Sequence, residues 1–159
     1  MATHTCTVTW DRQGQTFTDN KYSRAHAWHF DGGAQVRGSS SPHSVRVPYS
    51  DPTGVDPEEA LVAATASCHM LWFLSIAAGD GWVVDRYDDA AVARMGRMPE
   101  DQRTGITEVV LHPHVVFKGS APDAAGLEAL HHRAHEACFI ANSLKSEVRV
   151  EGTMDVVAA

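Results

Sequence analysis

Between Thr5 and Trp10 the chain alternates, with Cys6, Val8 and Trp10 on one side and Thr5, Thr7 and Thr9 on the other, the period-two pattern of a strand. Ala25–Phe30 alternates in the same way and runs into Asp31-Gly32-Gly33, a turn signal. From Gly38 to Val55 the periodicity disappears into a stretch rich in Gly, Ser and Pro. So long a connection inside a compact domain points to a functional or interface loop. Asp56-Pro57-Glu58-Glu59 then opens a helix: Asp56 can cap it, Pro57 suits the first helical position, and Glu59 completes a capping-box spacing. The helix should run to about Ala78 and stop at Gly79-Asp80-Gly81.

Strand-like pieces follow at Trp82–Asp85, Asp89–Met95 and Thr107–Phe117. Asp123 can cap a second helix, on which Leu127, Leu130, Ala134 and Cys138 fall on one stripe at steps of three and four. Glu147–Val157 closes the chain as a strand. Blocks of strands around two helices argue for an α+β fold with an antiparallel sheet, as one domain over residues 1–159.

Composition changes this picture in three places. The net charge of −7 repels nucleic acid phosphates and anionic lipid heads, so neither nucleic acid nor a membrane surface is expected as a partner. Ala60–Ala78 carries no charged residue and approaches the length of a membrane span, but Thr65, Ser67, Cys68, His69 and Ser75 interrupt it. It reads as a helix buried within protein, and in a chain of 159 residues the extra cover is a second copy of itself. Three cysteines, Cys6, Cys68 and Cys138, are too few and too odd a number for a disulfide scaffold, and the N-terminus lacks a signal-peptide pattern. A reducing, cytoplasmic setting is expected.

Chemistry concentrates at two cysteines. Cys68 lies about three turns into the uncharged helix and Cys138 on the apolar stripe of the second, so both should face the place where the helices meet. Buried free cysteine is often only a small hydrophobe. Glu58, ten residues before Cys68, falls near the same helical face. A carboxylate there makes chemical sense for a thiol only with an arginine alongside, and Arg24 or Arg46 could supply it.

The segment Asp56-Pro57-Glu58-Glu59-Ala60-Leu61-Val62-Ala63-Ala64 leading to Ser67-Cys68-His69 resembles the first cysteine segment of the OsmC/Ohr proteins. Ala134-His135-Glu136-Ala137-Cys138, followed by Ile140-Ala141-Asn142-Ser143-Leu144, is similar to that family's second. The order of strands and helices matches as well. The resemblance implies an OsmC-like fold in an intertwined homodimer with active sites at the subunit interface. It also implies a thiol-dependent peroxidase that reduces organic hydroperoxides. Cys68 would be the reacting cysteine, Cys138 the resolving one and Glu58 the family's glutamate, with Arg24 favoured over Arg46 as the activating arginine. The reductant would be a lipoyl-type dithiol. Three positions depart from the family: Asp56 stands where Asn is usual, Phe139 where many relatives have proline, and His69 where an apolar residue is common.

A free thiol with pKa about 8.5 is only about 3% thiolate at pH 7. Lowering that value by about two units takes roughly 2.7 kcal/mol of preferential anion stabilisation, which a guanidinium in a poorly hydrated pocket can supply. Trp28, Met70, Trp72, Phe73 and Phe139 are available for an apolar pocket or for plain core packing. The chain's ten histidines invite a zinc reading: His131, His132 and His135 have helical spacings, and His112 and His114 lie two apart on a strand. No CxxC or HExxH is present, nor any glycine-rich phosphate loop, so neither a resident metal nor a cofactor is expected. A Cys–His hydrolase built on Cys68 would need His26 or His29 as base, since His69 diverges by about 100°. A non-catalytic dimeric protein that binds a small apolar ligand is the alternative from another functional class.

Overall fold

The computed structural model describes residues 2–159. The chain divides into two compact units, Met1–Ala60 and Leu61–Ala159.

The first unit is a three-stranded antiparallel sheet in the order β1 (Cys6–Thr9), β2 (His26–Phe30), β3 (Gln35–Gly38). Trp28 sits opposite Val8 on one side and Val36 on the other. The first two strands follow the alternation in the sequence. β3 does not announce itself, because it is four residues long and begins directly after the turn at Gly33, whose φ of 85° suits glycine. The Gly/Ser/Pro stretch is better anchored than its composition suggests. Ser39 N donates to Val55 O at 3.0 Å, Val55 N to Arg37 O at 2.9 Å, and Asp51 N to the buried Ser39 hydroxyl at 2.9 Å.

The long helix α1 (Pro57–Gly79) opens as its sequence dictates: Asp56 N donates to Glu59 Oε2 at 3.1 Å and Glu59 N to Asp56 Oδ1 at 2.8 Å, a complete capping box. In the second unit it buries Thr65, His69, Phe73 and Ala77, one residue per turn. The opposite stripe, with Ala63, Ala64, Ser67, Leu71, Ser75 and Ala78, is exposed. By length and composition α1 could cross a membrane.

The strands of the second unit form two three-stranded sheets, β4 (Val84–Asp89), β7 (Pro113–Lys118), β9 (Thr153–Val157), and β5 (Val92–Arg97), β6 (Thr104–Leu111), β8 (Glu147–Val150). Thr107–Phe117 and Glu147–Val157, each expected as one strand, are thus each broken once, at His112 and at Glu151-Gly152. Bonds carry the pairing across the breaks, from His112 N to Asp89 Oδ1 at 2.8 Å and from Glu151 N to Leu111 O at 2.8 Å. The sheets are mixed rather than purely antiparallel: β8 runs parallel to β6 and β9 parallel to β7. Parallel neighbours need a crossover of a dozen residues or more, and α2 (Ala124–Ala137) supplies it. Asp123 caps α2 by accepting from Gly126 N at 2.8 Å. Phe73 and Ala77 of α1, Val115 and Phe117 of β7, and Leu127, Leu130 and Ala134 of α2 make the core.

Candidate active site

Cys68 is half-buried in the middle of α1. Cys138 is not inside the second helix, as the stripe implied, but is its C-cap, with extended backbone (φ −70°, ψ 106°) and its N–H donating to His135 O at 3.2 Å. The step of seven residues from His131 still leaves it on the apolar face, fully buried. The structure brings the two thiols together as neighbours, both free. Burial pushes the Cys138 thiol up to about 11; the adjoining Cys68 raises it further, while the N–H groups of Ala141 and Ile140 pull the other way. Ala141 N lies 3.4 Å from Cys138 Sγ. This sulfur is therefore held as a protonated thiol.

Phe139 follows directly and is 69% exposed, its ring edge-on to Trp72 at 5.5 Å between centroids. Trp72 and Phe139 thus flank the cysteine pair, whereas Phe73 is core and not pocket wall. An open groove of about 750 Å³ lies between α2 and the β8–β9 bend, lined among others by Leu127, His131, His135, Gly152 and Met154.

The sequence reading passed over His69 and His131 as a pair. His69 Nε2 and His131 Nδ1 are 3.1 Å apart, edge to edge, with 15° between the ring planes and 5.4 Å between centroids, and Phe73 stacks on His131 at 4.4 Å. They are 1% and 5% exposed. Burial holds each at about 4, with the charges of His131 and His135 adding to the effect on His69. His69 Nδ1 and His131 Nε2 have no partner. The signal was present in the sequence: His69 occupies the buried i, i+4 stripe from Thr65 to Ala77, and His131 adjoins Leu130 on the apolar face of α2.

Three other histidines face carboxylates. His112 faces Glu151 at 3.5 Å, His114 faces Asp155 at 3.3 Å, and His132 faces Glu136 at 3.5 Å. Among the described residues no group of three or more His, Cys, Asp or Glu has metal-holding geometry. Cys6 is exposed on β1.

The remaining expected site residues belong to the first unit. Arg24 is half-buried just before β2 and is held within its own loop. Its guanidinium donates to Asn20 Oδ1 at 2.7 Å, Asn20 O at 3.1 Å and Tyr22 O, and lies 3.8 Å from the Tyr22 ring centroid. Phe17 stacks on Tyr22 and Trp10 meets it edge-on, so Arg24 sits on an aromatic cluster. Arg46 is exposed, 5.8 Å from the Tyr49 ring, and Arg24 N donates to Tyr49 O at 2.8 Å, so the two candidate arginines lie on adjoining segments. Glu58 is half-buried in the first turn of α1 and forms no ion pair among the described residues.

Residues 50–152 match the family model described as OsmC-like protein. No curated protein matches the chain. Among solved structures, an OsmC-like protein of unknown function from Vibrio cholerae is 53% identical, with 96% of this chain and 99% of that one covered and a TM-score of 0.92. An organic hydroperoxide resistance protein OsmC from Legionella pneumophila is 17% identical, with 98% of each chain covered and a TM-score of 0.67. The organic hydroperoxide resistance protein OhrB of Bacillus subtilis is 17% identical, with 97% of this chain and 98% of that one covered and a TM-score of 0.64. The last two likenesses are of fold.

Proposed function

The chain belongs to the OsmC-like protein family, and from that premise we propose that it reduces organic hydroperoxides with Cys68 and Cys138. The single observation that carries this reading is the neighbouring pair of free thiols, one of them buried and kept protonated. The solved hydroperoxide resistance proteins of the same fold agree with it.

In the first step the Cys68 thiolate attacks one oxygen of the hydroperoxide. An S–O bond forms and the O–O bond breaks; the sulfur is oxidised by two electrons to a sulfenic acid, and the alkoxide leaves and takes a proton. In the second, Cys138 attacks that sulfur. An S–S bond forms, the S–O bond breaks, and the departing hydroxide leaves as water with the proton that Cys138 gives up. A lipoyl-type dithiol then exchanges with the disulfide, restoring both thiols and becoming a disulfide itself. Arg24 is the cation assigned to the Cys68 thiolate and the alkoxide, once released from Asn20 and Tyr22, with Glu58 orienting it and Arg46 as the other candidate. Trp72 and Phe139 offer an apolar wall for the organic group.

The active form in this reading is a homodimer. The exposed stripe of α1 holds no charge from Ala63 to Ala78, and Leu71 in its middle is 63% exposed. A solvated helix face of that length carries charge, whereas an apolar one needs cover. Mass spectrometry after one equivalent of an organic hydroperoxide tests the reaction. The expected product is a Cys68–Cys138 cross-linked peptide, two hydrogens lighter than the reduced pair. Two unchanged thiols would overturn the peroxidase and favour the binding protein.

A further inference from the structure

We propose that the hydrogen-bonded pair His69–His131 is a positioning device that sets how α2 sits on α1 and so keeps Cys138 within bonding reach of Cys68. The benefit rests on the thiol chemistry proposed above; the geometry does not.

Just past the end of α1, at the surface and twelve residues beyond Cys68, Arg133 of α2 donates to Asp80 at 2.6 and 3.2 Å. The buried contacts between the two helices, the histidine bond aside, are apolar, with Phe73 and Ala77 of α1 sharing a core with Leu127, Leu130 and Ala134 of α2. Such contacts are non-directional, and similar burial survives a slide of one helix along the other. A disulfide does not tolerate that freedom. It needs Cβ atoms about 3.5–4.5 Å apart, less than the 5.4 Å of one helical turn. A hydrogen bond between two ring nitrogens is directional, and a slide by a turn, or a rotation of α2 by one residue, breaks it. His69 adjoins Cys68, and His131 lies two turns before Cys138 on the same face. This bond therefore acts on the rotation and height of both cysteines from inside the core, and much nearer to Cys68 than the surface pair Arg133–Asp80.

Three further observations favour positioning over packing. Each ring keeps one buried nitrogen without a partner, His69 Nδ1 and His131 Nε2, a penalty that two leucines would avoid. In some proteins a buried polar pair that costs stability serves to select one arrangement among several, and that is the role assigned to this one. The His131 ring is also gripped on its other sides, by Phe73 at 4.4 Å and by Gly152 at the β8–β9 bend, where a Cβ would collide with the imidazole. A ring so confined transmits its orientation to its helix.

The test is the effective concentration of the two thiols, read as the equilibrium between the reduced protein and the Cys68–Cys138 disulfide in glutathione buffers of known ratio. It uses the whole chain and no peroxide. His131→Leu removes the bond and should lower the effective concentration by about tenfold, the factor that one net hydrogen bond corresponds to. His131→Asn, whose amide nitrogen falls near the place of Nδ1, should keep it within about threefold of wild type. Should the leucine variant fail to fold, His131→Gln replaces it, because its longer side chain puts the amide where Nε2 was and cannot reach His69. Equal effective concentrations in the bonded and unbonded variants would overturn the proposal, even if urea unfolding showed a loss of stability. A protein inert to peroxide but with these differences intact would overturn the peroxidase reading alone.

Discussion

Acid should unfold this chain through two rings. His69 and His131 are buried, and burial holds each near 4 where a free imidazole has 6.5. The unfolded chain therefore binds these protons first. Stability is fully present above about pH 7, falls as the pH drops through 6.5, and stops falling on their account below about 4. At pH 5 an unfolded imidazole is about 97% protonated and a folded one about a tenth, which integrates to about 2 kcal/mol for each ring and about 4 kcal/mol for the pair. That is a large share of the 5–15 kcal/mol that holds a typical domain together. Carboxylates titrate mainly near 4, so the window from 6.5 to 5 reports on the histidines. His135 is the other ionisable group that bears on His69, and its charge acts in the same direction. Urea unfolding at pH 7.5, 6 and 5, at one protein concentration, measures the slope. The double substitution His69→Leu/His131→Leu should flatten it. A loss below about 1 kcal/mol between pH 7.5 and 5, or an unchanged slope in the double variant, would refute the reasoning.

Other perturbations test other parts of the structure. Asp56→Ala removes the N-cap of α1 and its half of the capping box, and should cost about 1 kcal/mol in urea unfolding. Leu71→Arg places a charge on the uncovered stripe of α1 and should convert the proposed dimer to monomers in sedimentation equilibrium; an unchanged mass, or a monomeric wild type, would remove that stripe as the interface. Arg24→Ala should lower kcat/KM for an organic hydroperoxide by about a hundredfold if about 2.7 kcal/mol of anion stabilisation is lost, and a smaller effect than that of Arg46→Ala would transfer the role. In Cys68→Ser, burial alone still pushes the Cys138 thiol up, so its alkylation by iodoacetamide at pH 7 should be slower than that of a small free thiol; an equal rate would refute the assignment of the shift to burial.

The parts of the fold written in local chemistry were legible. Asp56, Pro57 and Glu59 form the cap that their spacing implied, and Asp123 caps α2. The parts decided by distant partners were not. Nothing between Gln35 and Gly38 distinguishes a strand from a turn until β2 lies beside it. The breaks at His112 and Gly152 did carry a local mark, Pro113 after the first and Gly152 itself at the second, but the parallel pairing of β8 and β9 depends on where α2 returns the chain. At the site, the apolar stripe of α2 foretold the burial of Cys138 but not its place at the cap, where the helix ends under Phe139. The histidine pair escaped because each member, read alone, is an unremarkable buried residue; only the 3.1 Å between them gives it meaning.

The two sulfurs are neighbours with unequal surroundings, and that inequality orders the proposed chemistry. A thiol held near 11 is a poor first nucleophile, since its thiolate fraction at pH 7 is about three hundredfold below that of an ordinary cysteine. Cys138 therefore waits. Its proton then has a use, because a sulfenate that accepts an attacking sulfur must release hydroxide, and hydroxide leaves readily only as water. Burial that disables a sulfur for the first step suits it to the second, provided the geometry brings it to the other sulfur without search. Cys68, half-exposed in the middle of an uncharged helix, is the sulfur that a peroxide can reach. The division of roles follows from which cysteine ends a helix in the core and which lies partway along one at the surface.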